Sequence, residues 1–307
     1  MDVSTIIAAL VLVPAICALL CLAIPHKSFR NTLVILAALI MVSASSVLAY
    51  MVITSQGALT IPVHTEAFEL FGWVIKAADL VVLFYVIARG LADKRYLSPL
   101  LAVLQLSALC VFELLPLLPF TGLERIQEPV MPIALDHLSM ILILLASVIG
   151  PTILVFAMGY MEAHEAHLHL TKSRQPRFFA ILFLFLCAMN ALAVSDNLLW
   201  MYTFWEITTL CSFLLISHDG TAESIRNAFR TLDLNMIGGV AFILAIIIGY
   251  YTMGSLTLSE LTSHSLSSGV TGLFTLSIAL LCLAGFTKSA QFPFQSWLLG
   301  AMVAPTP

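Results

Sequence analysis

The chain has 307 residues, of which 61% are hydrophobic and 10% charged, and its mean hydropathy is +1.04. Charged residues make up about 25% of an ordinary soluble domain, so a soluble fold of this size would lack the polar surface it needs. The net charge of −4 gives no basic surface for nucleic acid. The composition excludes soluble, fibrous and disordered classes and predicts an all-α, polytopic bundle of transmembrane helices.

Apolar runs long enough to cross about 30 Å of hydrocarbon divide the chain into about nine predicted spans. The first begins near Ser4 without a preceding cationic segment, which predicts an uncleaved helix and not a signal peptide. After the last run an apolar stretch continues to Met302 and is broken at Pro293. In chain order the predicted spans are 4–24, 32–53, 70–89, 97–119, 137–160, 178–195, 198–217, 232–253 and 271–289.

Basic residues outside the spans fall almost entirely on one side of this layout. Arg125 lies on the other side, and Lys76 and Lys288 lie within spans. The positive-inside rule therefore predicts that the N-terminus is outside and that loops 161–177 and 218–231 are cytoplasmic. The ten residues on that side are Lys27, Arg30, Arg89, Lys94, Arg95, Lys172, Arg174, Arg177, Arg226 and Arg230. Four acidic residues gather on the opposite side: Glu66, Glu69, Glu128 and Glu260.

Motifs for cofactors are not found in this sequence. The six cysteines lie in apolar runs and form no C-x-x-C pair, so neither a zinc site nor an iron–sulfur site is predicted. No phosphate-binding or dinucleotide-binding glycine motif occurs. The histidine-rich run 164–169 is interpreted as a solvated loop and not as a metal site. We therefore expect no cofactor in this chain, and no redox enzyme activity can be assigned to it.

Glu206 lies about nine residues into its predicted span, which places it about 13 Å deep and close to the membrane midplane. A charge there costs at least about 2.5–3.5 kcal/mol, so its presence requires a reason. Two readings stay open, a proton-exchanging group and a structural ion pair or hydrogen-bonded acid.

Lys288 ends a long apolar run and is followed five residues later by Pro293. This spacing predicts a helix that breaks inside the membrane and frees backbone groups beside a titratable amine. The alternative is a lysine whose ammonium reaches out to the cytoplasmic surface.

Three more charged residues lie at one depth in the third and fourth predicted spans. They are Lys76, Asp79 and Glu113. Lys76 and Asp79 are i, i+3 neighbours, and Glu113 lies near the outer end of the next span. The simplest interpretation is an ion cluster that stabilises this helical hairpin. The alternative is an accessory route that feeds protons from the outer side.

Residues 285–307 resemble the K-S-A-Q-x-P-x-x-x-W-L…A-M…P-T-P signature of antiporter-like membrane subunits. Such subunits occur in respiratory complex I, energy-converting membrane-bound hydrogenases, formate hydrogenlyases and Mrp-type sodium/proton antiporters. Residues 135–139 are similar to the L-D-G-L-S segment of that family, and Trp205-Glu206 matches its W-E pair. The resemblance covers residues 130–307 well and 1–55 loosely.

The resemblance implies that Glu206 and Lys288 are the pair that moves protons, driven by redox chemistry in neighbouring subunits. It implies partners that include other membrane subunits and a peripheral redox module, which would carry iron–sulfur clusters and nickel–iron or flavin. A bacterial or archaeal cytoplasmic membrane is the implied location. Two other functions stay open: a structural docking subunit without transport, and a sodium/proton antiporter component independent of redox chemistry.

The sequence also departs from the family pattern. Two predicted spans, 70–89 and 97–119, are inserted between the second and third helices of the family. We therefore divide the chain into N-terminal spans with a two-helix insertion at 1–130 and the first half of the antiporter-like fold at 131–307. Family members continue into a second, inverted half, so we expect either a fragment or a split subunit that a separate chain completes.

Overall fold

The structure is a computed structural model that describes residues 2–24, 26–55, 59–61, 66–114, 133–170, 172–267 and 272–305. Two short strands are β1 (Leu59–Ile61) and β2 (Ile133–Leu135). The helices are α1 (Val3–Ala23), α2 (Lys27–Thr54), α3 (Glu66–Ala92), α4 (Leu97–Leu114), α5 (His137–Leu144), α6 (Gly150–His167), α7 (Gln175–Val194), α8 (Leu198–Ile216), α9 (Ala222–Met253), α10 (Leu258–Ser267), α11 (Gly272–Lys288) and α12 (Ser296–Ala301). The predicted charges Arg125 and Glu128 lie outside the described residues.

Seven helices in the described ranges are long and apolar enough to cross a membrane. They are Val3–Ala23, Lys27–Thr54, Phe71–Ala92, His137–His167, Gln175–Val194, Leu198–Ile216 and Ala222–Met253. The chain is thus a multi-pass, all-α membrane protein, which confirms the predicted fold class. Two further apolar helices, Leu97–Glu113 and Gly272–Lys288, are shorter. The count of nine spans and the outside position of the N-terminus stay predictions.

Helices run beyond several predicted span boundaries. The helix expected at 232–253 begins at Ala222, because the Thr221 hydroxyl caps it by accepting the Ser224 amide at 3.1 Å. The helix expected to end at 160 continues to His167. The prediction that the histidine run is a loop is therefore wrong for its first two histidines, because an α-helix does not have to end where the hydrocarbon ends.

The loops rich in basic residues contact one another at one end of the bundle. Lys27, which opens α2, forms an ion pair with Glu162 of α6 at 2.6 Å. His164 lies 3.0 Å from the Asp219 carboxylate, and Arg174 donates to the Asp219 carbonyl at 3.0 Å. The segments α1–α2, α6–α7 and α8–α9 therefore meet at this basic end.

The opposite end is joined by short backbone pairings. Strand β1 pairs antiparallel with β2, with Leu59 opposite Leu135. Isolated bridges link Ile133 to Ser195 and Asn197 to Thr257. These pairings hold the segment before α8 in place, and so determine where α8 enters the bundle.

A buried asparagine compensates for a proline inside α1. Pro14 has no N–H, so the carbonyl of Leu10 loses its helical donor. Asn190 of α7 donates its side-chain amide to that carbonyl at 3.3 Å and accepts a hydrogen bond from Ser147 at 2.9 Å. Because backbone groups in a membrane need partners inside the protein, this contact connects α1, α7 and the π-helical turn Leu145–Ile149.

The inserted hairpin α3–α4 packs on the helices that form the centre of the molecule. Helix α3 contacts α8, α4 contacts α9, and α11 lies along α9. Gly238 on α9 permits the last contact, since a Cβ there would overlap the Thr287 hydroxyl of α11. The hairpin is therefore part of the same helix bundle as α8, α9 and α11.

Candidate functional site

Glu206 lies in the middle of α8 and is completely buried. The helix begins after Asn197, whose side-chain oxygen accepts the Leu199 amide at 2.9 Å. Eight residues of helix then place Glu206 about 12 Å from the start of α8. Neither carboxylate oxygen has a hydrogen-bond partner among the residues the structure describes. This is an unusual environment, because a buried carboxyl group without partners is costly.

A glycine on α9 makes room for this carboxyl group. A Cβ at Gly239 would overlap both Oε1 of Glu206 and Nε2 of Gln105. Gln105 of α4 and Glu206 of α8 therefore converge on the same point of α9. The sequence analysis did not identify either Gly239 or Gln105 as part of the site, although a glutamine inside an apolar span is a recognisable signal.

Lys288 is the last residue of α11 and extends to the same part of α8. Its Nζ donates to the Thr209 hydroxyl at 2.9 Å and to the Trp205 carbonyl at 3.2 Å. The ammonium also lies 5.2 Å from the centroid of the Trp205 ring, within range of a cation–π interaction. Lys288 thus binds Trp205 and Thr209, which precede and follow Glu206 in α8. Its hydrogen bonds go to a carbonyl and a hydroxyl group and not to the Glu206 carboxylate.

The helix containing Lys288 stops at that residue. Residues 289–295 are not helical, and α12 begins at Ser296. Trp297 of α12 donates its indole N–H at 2.8 Å to the Thr287 carbonyl, which also accepts the Ala290 amide at 3.3 Å where the helix is interrupted. The break predicted near Lys288 is present, and the tryptophan of the sequence signature has a structural role in it.

Among the described residues, an ion pair joins two of the three charges of the hairpin. Lys76 and Glu113 approach to 3.8 Å and join α3 to α4. Asp79 is only 4% exposed, and its Oδ1 has no hydrogen-bond partner in the described part of the chain. All three line a cavity of about 150 Å³, together with Tyr202 and Thr203 of α8.

Tyr202 and Gln105 lie between this cavity and Glu206. The Tyr202 hydroxyl donates to Oε1 of Gln105 at 2.6 Å, and Nε2 of Gln105 donates to the Met236 carbonyl at 3.0 Å. Nε2 of Gln105 and Oε1 of Glu206 converge at Gly239 of α9. Tyr202 and Gln105 thus connect the wall of the cavity that Asp79 lines with the part of α9 beside Glu206.

Two family models match consecutive parts of the chain. Residues 195–307 match "NADH:quinone oxidoreductase/Mrp antiporter, TM", and residues 128–179 match "NADH-Ubiquinone oxidoreductase (complex I), chain 5 N-terminus". The chain belongs to the antiporter-like membrane subunit family. The K-S-A-Q signature and the W-E pair of this family member lie in the first region, and residues 135–139 lie in the second. The hairpin α3–α4 lies outside both.

Curated proteins similar to this chain include two from staphylococci. A "Putative antiporter subunit mnhA2" of Staphylococcus haemolyticus is 40% identical over 174 residues, which is 56% of this chain and 21% of the relative. The Staphylococcus epidermidis protein of the same name is 37% identical with the same coverage. The chain thus spans about a fifth of the length of these relatives.

Two solved structures are similar to this chain. The Mrp complex from Dietzia sp. DQ12-45-1b matches with a TM-score of 0.50 and 29% identity, over 75% of this chain and 25% of that one. An archaeal membrane-bound sulfane sulfur reductase matches with a TM-score of 0.59 and 16% identity, over 96% of this chain and 36% of that one. The second likeness concerns the fold alone.

Proposed function

We propose that this chain translocates protons as an antiporter-like subunit of a multi-subunit complex in a bacterial or archaeal cytoplasmic membrane. Glu206 and Lys288 are the exchanging groups. The observation that carries the proposal is the buried Glu206 carboxyl group, which has no hydrogen-bond partner among the described residues and lies between two residues that bind Lys288. Membership of the family supports it.

The physical basis is the effect of a neighbouring charge in a medium of low dielectric constant. A hydrogen-bonded carboxylate is held in one protonation state by its donors, whereas Glu206 depends on the charges around it. Lys288 lies on the segment where α11 breaks, so a small displacement of that segment changes its separation from Glu206. Coulomb energy varies steeply with separation in the interior, and the displacement therefore moves a proton.

We propose that redox chemistry in partner subunits drives this movement. The complex I family model supports such partners. The partners would include other membrane subunits and a peripheral module with iron–sulfur clusters and nickel–iron or flavin. Exchange of sodium for protons is the second candidate, which the antiporter relatives and the Mrp likeness favour.

Proton transport by the native complex tests the proposal. The complex that contains this chain is purified and placed in liposomes with a pH-sensitive dye inside. One set of liposomes receives the electron donor, and the other receives a sodium gradient without donor. Wild-type complex shows which of the two sets transports protons. In that set, Glu206→Gln is expected to lower the rate of proton transport at least about tenfold. Transport that responds to sodium alone would support the second candidate.

The control is Glu162→Gln, the same substitution at an exposed glutamate that pairs with Lys27. This variant is expected to retain the wild-type rate. Wild-type transport by an assembled Glu206→Gln complex would contradict the proposal and favour a structural docking subunit.

A further inference from the structure

The cavity between α3, α4 and α8 has a carboxyl group that the hairpin's ion pair does not use. Lys76 and Glu113 lie 3.8 Å apart and balance each other's charge. Asp79 is a third charged group in the same cavity, 4% exposed, and its Oδ1 has no hydrogen-bond partner among the described residues. An ion pair that stabilises the hairpin accounts for the first two residues and leaves Asp79 unexplained.

The cavity is large and polar enough to hold water. Its volume is about 150 Å³, and it is lined by Asn197, Thr203 and Tyr202 in addition to the three charged residues. A water molecule requires only about 10–15 Å³ of such space and two to four polar partners, so several waters fit. Asn197 immediately precedes α8, and the cavity therefore lies toward the end of the bundle opposite the basic loops.

One residue of the cavity wall, Tyr202, is also a neighbour of the central site. Tyr202 and Glu206 are i, i+4 neighbours, so they lie on the same face of α8. The Tyr202 hydroxyl, in the cavity wall, donates to Oε1 of Gln105 at 2.6 Å, and Gln105 converges with Oε1 of Glu206 at Gly239. Among the described residues, the titratable groups that line the cavity with Asp79 are Lys76 on its own helix, Cys110 and Glu113 on α4, and Tyr202 on α8.

We propose that this cavity is a proton entry site that the α3–α4 hairpin adds to the central pair, with Asp79 as the group that passes protons to Glu206. In this step the Asp79 carboxylate takes a proton from a hydronium ion that reaches the cavity through water, and a water molecule remains. The proton then moves to the Glu206 carboxylate, either directly or through water, and Asp79 becomes ionised again. The inference rests on the proposed function, because it requires that Glu206 exchanges protons.

Substitution of Asp79 in the native complex tests this step with the liposome assay described above. Asp79→Asn is expected to slow proton transport about tenfold, and Asp79→Glu, which retains a carboxyl group, is expected to restore most of the rate. Asp93→Asn is the matched control, because Asp93 lies at the far end of α3 where it pairs with Arg89. It is expected to leave the rate unchanged.

The outcomes separate this inference from the proposed function. If Asp79→Asn transports at the wild-type rate while Glu206→Gln does not, the entry site is wrong and the central pair stands. If neither substitution changes transport, the proposed function itself is wrong.

A chemical probe gives an answer even where Asp79→Asn does not assemble. Cys110 lines the same cavity and is exposed. A small, water-soluble methanethiosulfonate is therefore expected to modify it in the wild-type complex and to slow transport severalfold. Cys110→Ala is expected to transport normally and to be insensitive to the reagent. Modification of Cys110 without any loss of rate would overturn the entry site.

Discussion

Carboxyl groups at the ends of the bundle and carboxyl groups in its interior have opposite surroundings. Glu165, near the basic end, accepts hydrogen bonds from the Arg174 amide at 2.6 Å and from the Gln175 side chain at 2.9 Å. Glu206 and Asp79, inside the bundle, have oxygens with no partner in the part of the chain described here. Glu165 thus has hydrogen-bond donors at the end of the bundle, where water could replace them. Glu206 and Asp79 have oxygens without donors among the described residues in the interior, where a missing donor costs the most free energy.

This difference separates the charges that maintain the fold from those that we assign to transport. If stability alone determined the sequence, an apolar residue would replace an unpaired buried carboxyl group with little loss or with a gain. A carboxyl group held by several donors keeps its proton state fixed, which suits a structural role. A carboxyl group without donors changes its state when a nearby charge moves, which suits proton exchange.

The largest effect is expected at Lys288, where charge and proton exchange can be separated. Lys288→Arg keeps the positive charge near Trp205 and Thr209, but an arginine does not release its proton at physiological pH. We expect this variant to assemble and to lose transport at least about tenfold in the liposome assay. If Lys288 only balances the charge of Glu206, the arginine variant will transport at the wild-type rate.

A smaller effect, on stability, is expected where α9 makes room for Glu206. Gly239→Ala introduces a Cβ that overlaps Glu206 and Gln105, so we expect a loss of about 1–3 kcal/mol in the free energy of unfolding. Gly159→Ala is the control, because nothing lies within 4 Å of a Cβ there. It should be neutral or stabilising by up to about 1 kcal/mol.

Thermal unfolding of both glycine variants in detergent measures the difference. Equal stability of the two variants would mean that the packing around Glu206 is loose and that its oxygens are not confined against α9.

The sequence was sufficient to predict the class of the fold, and it pointed to Glu206 on α8 and to Lys288, whose ammonium contacts α8. Long apolar runs indicated the helices, and the isolated charges Glu206 and Lys288 were visible because charged residues are rare in membrane spans. It could not show that Asp79 is separate from the Lys76–Glu113 pair, because helical spacing gives the face of one helix and not the helix opposite. The roles of Gly239 and Gln105 depend on how α4 and α9 meet, and single-helix patterns contain no such information.

The smallest effect is expected at a carboxyl group that does have donors, outside the spans. Asp136 caps α5 by accepting the Ser139 amide at 2.7 Å, and this hydrogen bond holds the pKa of Asp136 below its usual range. Asp136→Ala is therefore expected to lower stability by about 1 kcal/mol and to leave transport unchanged. Asp2→Ala is the control, since Asp2 precedes α1 without making a capping hydrogen bond through its side chain.

The pH dependence of this capping contribution has a definite sign. The pKa of Asp136 is lower in the folded state than in the unfolded chain. The cap therefore contributes its full stabilisation above the unfolded-state pKa of Asp136 and loses it as the pH falls through the lowered folded-state pKa. Hydrogen exchange of residues 137–144 should thus be faster in Asp136→Ala than in the wild type at neutral pH, and the difference should shrink in strong acid. A difference that persisted in acid would show that the alanine acts through packing. A loss of transport in Asp136→Ala would contradict the division between the ends and the interior of the bundle, because a carboxylate that caps a helix would then affect proton movement.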